Sequence, residues 1–509
     1  MTVTIALPSP AEAEKHQKLL DENQRLQMEV RYLRELLRLA RIAKYGPGSE
    51  QLTDQQLELL ELEPGVQAEE VQAESEKAQL QLPLRSPRKE GHGRQSLPAH
   101  LPRVEQIIAC TEQECVCGRC GREKTLIGYE SSEQLDFEPA KYFVRVTKRE
   151  KRACQHCPEG GVACAPAPAQ IIEKSLATDR LVIETIVSKY LDHLPLYRQS
   201  AILLRDTGIE LSRNTLCNWV MRVGELLQPI AAAMAQELLA GQYIQADETP
   251  VDVQLKDSKA KNHQAYLWQY STPGGAVVFD FQLGRSREGP KRFLGNYEAI
   301  LQTDGYAAYD RVGGQKIVHA GCWAHARRYF FQAVEAHPQD CAAIALVATI
   351  DELFALDAQA RQQGLSVLER DQLRQQKARP LLAAIAKQIA TAKAQCLPQS
   401  ALAKACNYTL TQWGRLSQFL DYPVLELSTN LAENAMRPVA VGRKNWLHFG
   451  SPQAGTRIAA ILSILETCRR GRLPARDYLA SILPGLADFP LRQVSQLTPA
   501  AWAKKGLKS

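Results

Sequence analysis

The sequence contains no apolar run that approaches the roughly 18 to 20 residues needed to cross a bilayer. It also lacks the short apolar segment of a secretory signal, so we expect a soluble, intracellular protein without a membrane partner. A net charge of +6 over 509 residues gives only weak support for a polyanionic partner. The chain exceeds the roughly 250 to 300 residues at which single hydrophobic cores stop growing, so several domains are expected.

A disulfide framework is not expected either, because the 13 cysteines are odd in number and no secretory signal accompanies them. Two CxxC pairs, Cys117 with Cys120 and Cys154 with Cys157, instead supply the four thiolates of one structural zinc site. The gap between the pairs is longer than the roughly 15 to 20 residues of common zinc ribbons, so we expect a β-hairpin to fill it. Alternative ligands are Cys110, Cys115, His156 and Cys164.

The first 48 residues carry a heptad pattern. About four heptads predict a short parallel coiled coil, and therefore a homodimer or a higher assembly. An Asn at a core position, here Asn23, is a known device for fixing the register of the helices. The alternative to a coiled coil is an amphipathic helix docked on its own chain. The residues at the two core positions are His16, Leu19, Asn23, Leu26, Val30, Leu33, Leu37 and Ala40.

Three further regions precede the part of the chain that carries the acidic motifs. Residues 49–100 are rich in Gln, Glu, Leu, Pro and Ser without a period, which predicts a low-complexity linker, and 101–168 form the zinc-binding domain. Residues 169–240 have a helical pattern that contains a candidate helix-turn-helix, with a structural helix pair as the alternative. The side chains that would meet a DNA groove are Arg213, Asn214 and Asn218.

Residues 241–338 alternate in the order β-β-β-α-β-α-β-α, which is typical of a ribonuclease H-like domain. One strand-like run ends at Asp247 and another ends at Asp304. In such a domain the first and fourth strands are neighbours, so both carboxylates should face one cleft. We therefore expect a multidomain α+β protein whose ribonuclease H-like core has a mixed five-stranded sheet with flanking helices.

A third acid, Glu433, follows a long helical stretch at 339–422, which we interpret as an α-helical insertion in the core. The core would resume at 423–485, and a tail would follow at 486–509. Glu466 is an alternative third acid. Glu433 is preferred because basic and aromatic residues suited to DNA ends follow it. These residues are Arg437, Arg443, Lys444 and Trp446.

Three carboxylates in one cleft suit Mg²⁺ or Mn²⁺, and without metal they would raise each other's pKa. Two such ions roughly 3.5 to 4 Å apart can activate an attacking oxygen and stabilise a leaving oxygen in phosphoryl transfer. Glu248 adjoins Asp247, but successive strand residues face opposite sides, so only one of them can point directly into the cleft. A supporting role is favoured over a second zinc site for His319, Cys322 and His325.

Several motifs add to the heptads at the start of the chain. They are Leu97-Pro-Ala-His-Leu-Pro-Arg before the CxxC pairs, Ala246-Asp-Glu-Thr-Pro, Thr303-Asp-Gly-Tyr, Cys322-Trp-Ala-His-Ala-Arg-Arg and the run from Asn430 to Trp446. With these features the chain resembles the transposases of the insertion sequence 66 family. The resemblance implies a DDE transposase with Asp247, Asp304 and Glu433 as catalytic acids, acting on terminal inverted repeats and target DNA. It also implies small accessory proteins and a bacterial cytoplasmic, nucleoid-associated location. A catalytically silent DNA-end-binding regulator is the alternative, and a host nuclease is a third hypothesis.

Overall fold

The computed structural model describes residues 119, 122, 141–153, 162–255 and 262–506. The expected coiled coil, the linker and the four zinc cysteines lie outside the described residues. The chain divides into two compact units, of which one is Leu82–Lys148 and the other is the remainder. The described residues of the smaller unit contain no helix or strand. No helix in the described part of the chain is long and apolar enough to cross a membrane.

The described part of the larger unit begins with a hairpin and three helices. Strands β1 (Lys151–Ala153) and β2 (Val162–Cys164) are antiparallel. The helices are α1 (Asp179–Tyr190), α2 (Leu196–Thr207) and α3 (Arg213–Leu239). Helices α2 and α3 form the candidate helix-turn-helix, and the hydroxyl of Ser212 accepts a hydrogen bond from the Thr215 amide at 3.1 Å, as an N-cap does. Because α3 continues for 27 residues with a buried apolar side, it is also a core helix.

The central sheet is mixed, and its main path runs in the order β5-β4-β3-β6-β7. Strands β3, β4 and β5 form an antiparallel meander, whereas β6 and β7 run parallel to β3. Helix α4 (Glu288–Leu294) connects the meander to β6. The strand bounds are β3 (Tyr243–Val253), β4 (His263–Ser271), β5 (Val277–Gln282), β6 (Ile300–Gln302) and β7 (Val318–Ala320).

Two details of the expected sheet need correction. Strand β3 does not end at Asp247 but continues to Val253, because β4 pairs with it from Gln245 to Val253. A further short strand, β8 (His448–Phe449), pairs in parallel with Asp252 and Val253, so the sheet has six strands rather than five. A two-residue strand carries no periodic signal by which a sequence pattern could reveal it.

The region between β7 and the Glu433 helix is helical, as expected for the insertion. Its buried apolar side chains, among them Phe330, Leu346 and Ile350, form a hydrophobic cluster separate from the one that includes most of the sheet. The elements are α5 (Trp323–Ala336), α6 (Cys341–Gln362), α7 (Val367–Leu373), a π-helical turn (Arg374–Ala378), α8 (Arg379–Gln395), α9 (Ala401–Thr411) and α10 (Trp413–Leu416).

The last helices return to the sheet. They are α11 (Asn430–Trp446), α12 (Pro452–Arg470), α13 (Ala475–Ile482) and α14 (Pro499–Gly506). The hydroxyls of Ser463 and Thr467, one turn apart on α12, accept hydrogen bonds from the amides of Phe279 and Val277 at 2.8 and 2.9 Å. Because β5 is an edge strand, its outward amides have no neighbouring strand to bind, and these two hydroxyls accept their hydrogen bonds instead.

The segment expected to be a C-terminal tail is folded over most of its length. It contains two 3₁₀-helices, Leu486–Asp488 and Leu491–Leu497, in addition to α14. Val494 is buried in the main core, and the Tyr478 hydroxyl donates a hydrogen bond to the Leu497 carbonyl at 2.6 Å. Residues 486–506 therefore belong to the packed structure around α12 and α13.

Candidate active site

The first two acids lie side by side because β3 and β6 are parallel neighbours. Gln245 pairs with Gln302 at the end of this ladder, and Asp247 and Asp304 each lie two residues further along. The chain turns immediately after Asp304, where Gly305 has a φ of +88° that a side chain would strain. The Tyr408 hydroxyl from α9 donates to the Asp304 carbonyl at 2.6 Å, which fixes this turn against the helical insertion.

Glu433 joins these two acids from the first turn of α11. Helix α11 packs against β3 and β4. Burial raises the pKa of Asp247 well above its ordinary value, and the negative charges of Glu433, Glu248 and Asp304 raise that pKa further. The structure therefore brings all three predicted acids into one electrostatic cluster.

The donor chemistry of this cluster fits a hard divalent cation. Oε1 of Glu433 is buried and has no hydrogen-bond partner among the described residues, and the Asp247 carboxylate accepts a bond from the Glu248 amide at 2.8 Å. Within the described ranges, no three His, Cys, Asp or Glu side chains already converge at the spacing of a metal site. Burial and the neighbouring negative charges both disfavour the ionised form of Asp247, and a bound cation would offset that cost.

The two alternative acids are neutralised by partners of their own. Glu248 is almost fully buried, with 2% of its side chain exposed, and accepts hydrogen bonds from Arg285 at 2.6 Å and from Tyr309 at 2.8 Å. Glu466 accepts bonds from Arg469 at 2.6 Å and Arg470 at 3.0 Å. Burial raises the pKa of Glu466 to about 7, and Arg470 opposes that shift. Neither carboxylate is as poorly compensated as Asp247.

Two basic side chains of α5 face Glu433. The distances are 3.6 Å from His325 Nε2 to Glu433 Oε1 and 3.8 Å from Arg328 Nη2 to Glu433 Oε2. Burial opposes protonation of His325, but Cys322 and Glu433 raise its pKa to about 10. The Cys322 sulfur accepts a hydrogen bond from the Thr429 amide at 3.3 Å, just before α11 begins.

His319 has different surroundings from Cys322 and His325. Burial lowers its pKa, and so does the charge of Arg415.

Arg328 had no assigned role in the sequence prediction, although it lies in the Cys322-Trp-Ala-His-Ala-Arg-Arg motif. Its spacing of three residues from His325 was an available signal, since residues three apart share a helix face.

A buried glutamine pair links the strands of the two aspartates to the helix of Glu433. Nε2 of Gln245 donates to Oε1 of Gln302 and to the Ser428 carbonyl, both at 3.0 Å. Nε2 of Gln302 donates to the carbonyls of Glu426 at 2.7 Å and Gly321 at 2.9 Å. The sequence prediction missed this pair, although each glutamine lies two residues before an acid, and in β3 this spacing puts Gln245 and Asp247 on the same strand face.

Gln269 is another residue that the sequence prediction missed. It is opposite Asp247 in the β3–β4 ladder and fully buried. Neither polar atom of its amide has a hydrogen-bond partner within the described part of the chain. A buried amide without partners costs free energy, so its position opposite Asp247 suggests a contact with a group at the site.

The residues predicted to bind DNA differ in their surroundings. Arg213, Asn214 and Asn218 are exposed at the start of α3. Arg443 instead donates to Thr249 Oγ1 at 3.1 Å and to the Pro250 carbonyl at 2.6 Å, which ties α11 to β3. Lys444 is exposed, Arg437 is half-buried, and the Trp446 ring stacks on Phe449 with centroids 5.1 Å apart.

The structure is that of an α+β protein with a carboxylate site. Three acids cluster at its mixed sheet, and one of them lies on a helix that follows a helical insertion. Residues 174–457 match the family model described as Transposase IS66 family. Since this match covers more than half of the 509 residues, the chain belongs to the IS66 family of transposases. Residues 32–105 match Transposase C of IS166 homeodomain, and residues 114–158 match the zinc-finger binding domain of transposase IS66.

The chain is also similar to proteins of Sinorhizobium fredii (strain NBRC 101917 / NGR234). It is 34% identical to Uncharacterized protein y4qI over 490 residues, which is 92% of this chain and 88% of the relative. It is 32% identical to Uncharacterized protein y4jD over 425 residues, with 80% and 81% covered. A third relative, Uncharacterized protein y4hP, is 28% identical over 504 residues, with 94% and 89% covered.

Proposed function

We propose that this chain is a DDE transposase that cleaves DNA at the ends of an insertion sequence and transfers the freed strand ends to target DNA. The observation that carries the proposal is the convergence of Asp247, Asp304 and Glu433. Burial raises the pKa of Asp247, and the negative charges of the neighbouring carboxylates raise it further, which is expected of carboxylates collected to hold a cation. The order β5-β4-β3-β6-β7, with β6 parallel to β3, supports a ribonuclease H-like core.

In this proposal Asp247, Asp304 and Glu433 hold two Mg²⁺ or Mn²⁺ ions. The chemistry that such ions would supply there is activation of the attacking oxygen and stabilisation of the leaving oxygen of the phosphodiester. The protein positions the acids: β3 and β6 hold the two aspartates in parallel register, and α11 brings Glu433 to them. His325 and Arg328 place positive charge beside Glu433, which limits the repulsion before metal binds.

The remaining parts of the proposal concern DNA delivery. One zinc ion bound by Cys117, Cys120, Cys154 and Cys157 is supported by the zinc-finger match over residues 114–158. Double-stranded DNA, as terminal inverted repeats and as target, is the partner that a transposase requires, and Arg213, Asn214 and Asn218 are exposed for it. In the same proposal the chain forms a homodimer through the N-terminal heptads and acts with small accessory proteins of the same element. Its location is nucleoid-associated.

The test is a cleavage and strand-transfer assay on duplexes that carry the ends of the element. Asp247→Asn should lower product formation by about a thousandfold, since metal ligation contributes several kcal/mol to such reactions. Asp252→Asn is the matched control, because Asp252 lies on the same strand but is exposed. Equal products from the parent and Asp247→Asn would contradict the catalytic assignment.

Two other outcomes of the same assay would replace the proposal. End binding without any cleavage by the parent chain would favour the silent regulator, in which the zinc-binding domain and the candidate helix-turn-helix bind the element ends and the core is only a scaffold. Cleavage without preference for the repeat sequence would favour the host nuclease.

A further inference from the structure

A cavity of about 280 Å³ lies on the larger unit, where α1 and α3 meet the end of α11. It is lined by Lys189 and Tyr190 of α1, Cys217 of α3, Trp446 at the end of α11, and Ser451 just before α12. We name it the Trp446 cavity. None of its lining residues is acidic, and neither the carboxylate cluster nor the glutamine pair contributes to it.

Two polar groups of the Trp446 cavity, the Lys189 ammonium and the Tyr190 hydroxyl, have neither an ion-pair nor a hydrogen-bond partner among the described residues. No carboxylate within the described ranges forms an ion pair with Lys189, whose ammonium lies 5.2 Å from the Tyr190 ring centroid and 6.0 Å from that of Trp446. Burial lowers the pKa of Lys189 to about 8, so the cation is retained at neutral pH although burial disfavours it. The Tyr190 hydroxyl is buried and has no hydrogen-bond partner among the described residues. Both groups point to an anionic or polar ligand.

The N-terminus of α12 adds to the positive potential of the cavity. Ser451 is its N-cap and accepts a hydrogen bond from the Ala454 amide at 3.2 Å, and both residues line the cavity. The N-terminus of a 19-residue helix carries partial positive charge from its aligned peptide dipoles. Together with the Lys189 ammonium, it forms a site suited to a phosphate group.

The Trp446 ring supplies the apolar part of the cavity. It stacks on Phe449, and it folds back over Gly442, where a Cβ would lie 2.5 Å from the indole nitrogen. A side chain at Gly442 would therefore displace the ring. An aromatic face beside a cation and a helix N-terminus matches one nucleotide, whose base stacks while its phosphate meets the positive groups.

We propose that the Trp446 cavity binds one nucleotide of the DNA end, with its base unstacked from the duplex and placed against Trp446. The phosphate of that nucleotide would lie near Lys189 and the N-terminus of α12. The identity of the DNA rests on the proposed function. The cavity is joined to the catalytic cluster by α11, which carries Glu433 in its first turn and Trp446 as its last residue.

The experiment measures the affinity of the full chain for end duplexes with a single mismatch placed at each successive position. An unpaired base no longer costs unpairing energy when it leaves the stack. At one position the mismatch should tighten binding several-fold, and Trp446→Leu should abolish that gain. Lys189→Met should weaken binding on the order of tenfold, whereas Lys387→Met, an exposed lysine on α8, should not.

Folding and binding are separated by the choice of variants. Lys189→Met removes a half-buried cation that has no carboxylate partner among the described residues, so its Tm should equal or exceed that of the parent while its affinity falls. Gly442→Ala should reproduce the loss of mismatch preference, because it displaces the ring without removing it. A mismatch gain that survives in both Trp446→Leu and Gly442→Ala would overturn the proposal, as would the absence of a gain at every position despite tight end binding.

Binding is measured without divalent metal, so its result does not depend on cleavage. A mismatch gain that requires Trp446, in a chain that cuts no DNA, would support the nucleotide site while removing the proposed catalysis. Titration with free deoxynucleoside monophosphates distinguishes the source of the ligand. Saturable quenching of Trp446 fluorescence by these nucleotides, without a mismatch gain in DNA, would overturn the assignment to DNA.

Discussion

The side-chain amide of Gln245 donates a hydrogen bond to the side-chain carbonyl of Gln302 at 3.0 Å, in the buried interior between β3 and β6. Each glutamine lies two residues before a candidate catalytic aspartate. Both also bind backbone carbonyls, Ser428 and Glu426, in the loop that leads into the Glu433 helix. One pair of amides therefore connects the three segments that carry the acids.

We predict that Gln302→Leu lowers the cleavage rate by roughly ten- to a hundredfold, because carbonyl groups at Glu426 and Gly321 lose their donor and the loop before Glu433 can shift. The half-saturating Mg²⁺ concentration should rise in parallel, which a loss of folding alone would not cause. Cleavage rates over a Mg²⁺ titration measure both effects. Gln315→Leu, an exposed position, is the control. An unchanged Mg²⁺ requirement would contradict the positioning role.

Arg328 should compete with a metal ion for Glu433, since its guanidinium lies 3.8 Å from Oε2 of that carboxylate. Arg328→Met should therefore tighten Mg²⁺ binding several-fold, as removal of a nearby like charge favours a cation. Isothermal titration with Mg²⁺ in the absence of DNA measures this change. Arg379→Met, on the exposed side of α8, should leave the affinity unaltered. Weaker Mg²⁺ binding in Arg328→Met would refute the competition.

Asp357 is the centre of a buried ionic network in the insertion. It accepts hydrogen bonds from Arg374 at 2.7 Å and Arg370 at 2.8 Å, and Arg370 also binds Glu426 before α11. Asp357→Asn should lower the free energy of unfolding by about 3 to 5 kcal/mol, because it leaves buried guanidinium charge uncompensated. Urea unfolding at pH 7 measures the change, with the exposed Asp421→Asn as control.

The same network makes the free energy of unfolding depend on pH. Although burial raises the pKa of Asp357, Arg374 and Arg370 outweigh it and hold that pKa below its ordinary value. The folded state therefore binds the proton less tightly than the unfolded state, in which the pKa is about 3.9. The stabilisation is complete above that pH and is lost as the pH falls below it. The parent should lose more unfolding free energy than Asp357→Asn between pH 5 and 3, as estimated from urea titrations.

Zinc content tests the proposed cysteine ligands. Purified protein should contain one zinc per chain, and Cys117→Ser or Cys154→Ser should lower that content and the affinity for DNA ends. Cys341→Ser is the matched control, because Cys341 is an exposed cysteine at the start of α6. Elemental analysis measures the zinc. Full zinc content in both ligand variants would assign the site to other donors, such as Cys110, Cys115, His156 or Cys164.

Much of the core was predictable from local pattern. Alternating apolar runs predicted the strands of the meander, and the expected adjacency of the first and fourth strands is confirmed by the pairing of β3 with β6. The resemblance to the insertion sequence 66 family is confirmed by the family match. The choice of Glu433 over Glu466 relied on neighbouring basic residues. In the structure Glu466 is bound by Arg469 and Arg470, which lie three and four residues further along the same helix, so their spacing was an available signal.

The sequence by itself predicted the three acids, the adjacency of the first and fourth strands and the family, because these predictions depend on residue types and spacings within short segments. Only the tertiary structure decided which groups meet. It showed that His325 and Arg328 face Glu433, that two glutamines connect three distant segments, and that Lys189 shares a cavity with Trp446. Such contacts join residues up to about 250 positions apart, and they arise from packing of whole helices on the sheet rather than from local periodicity.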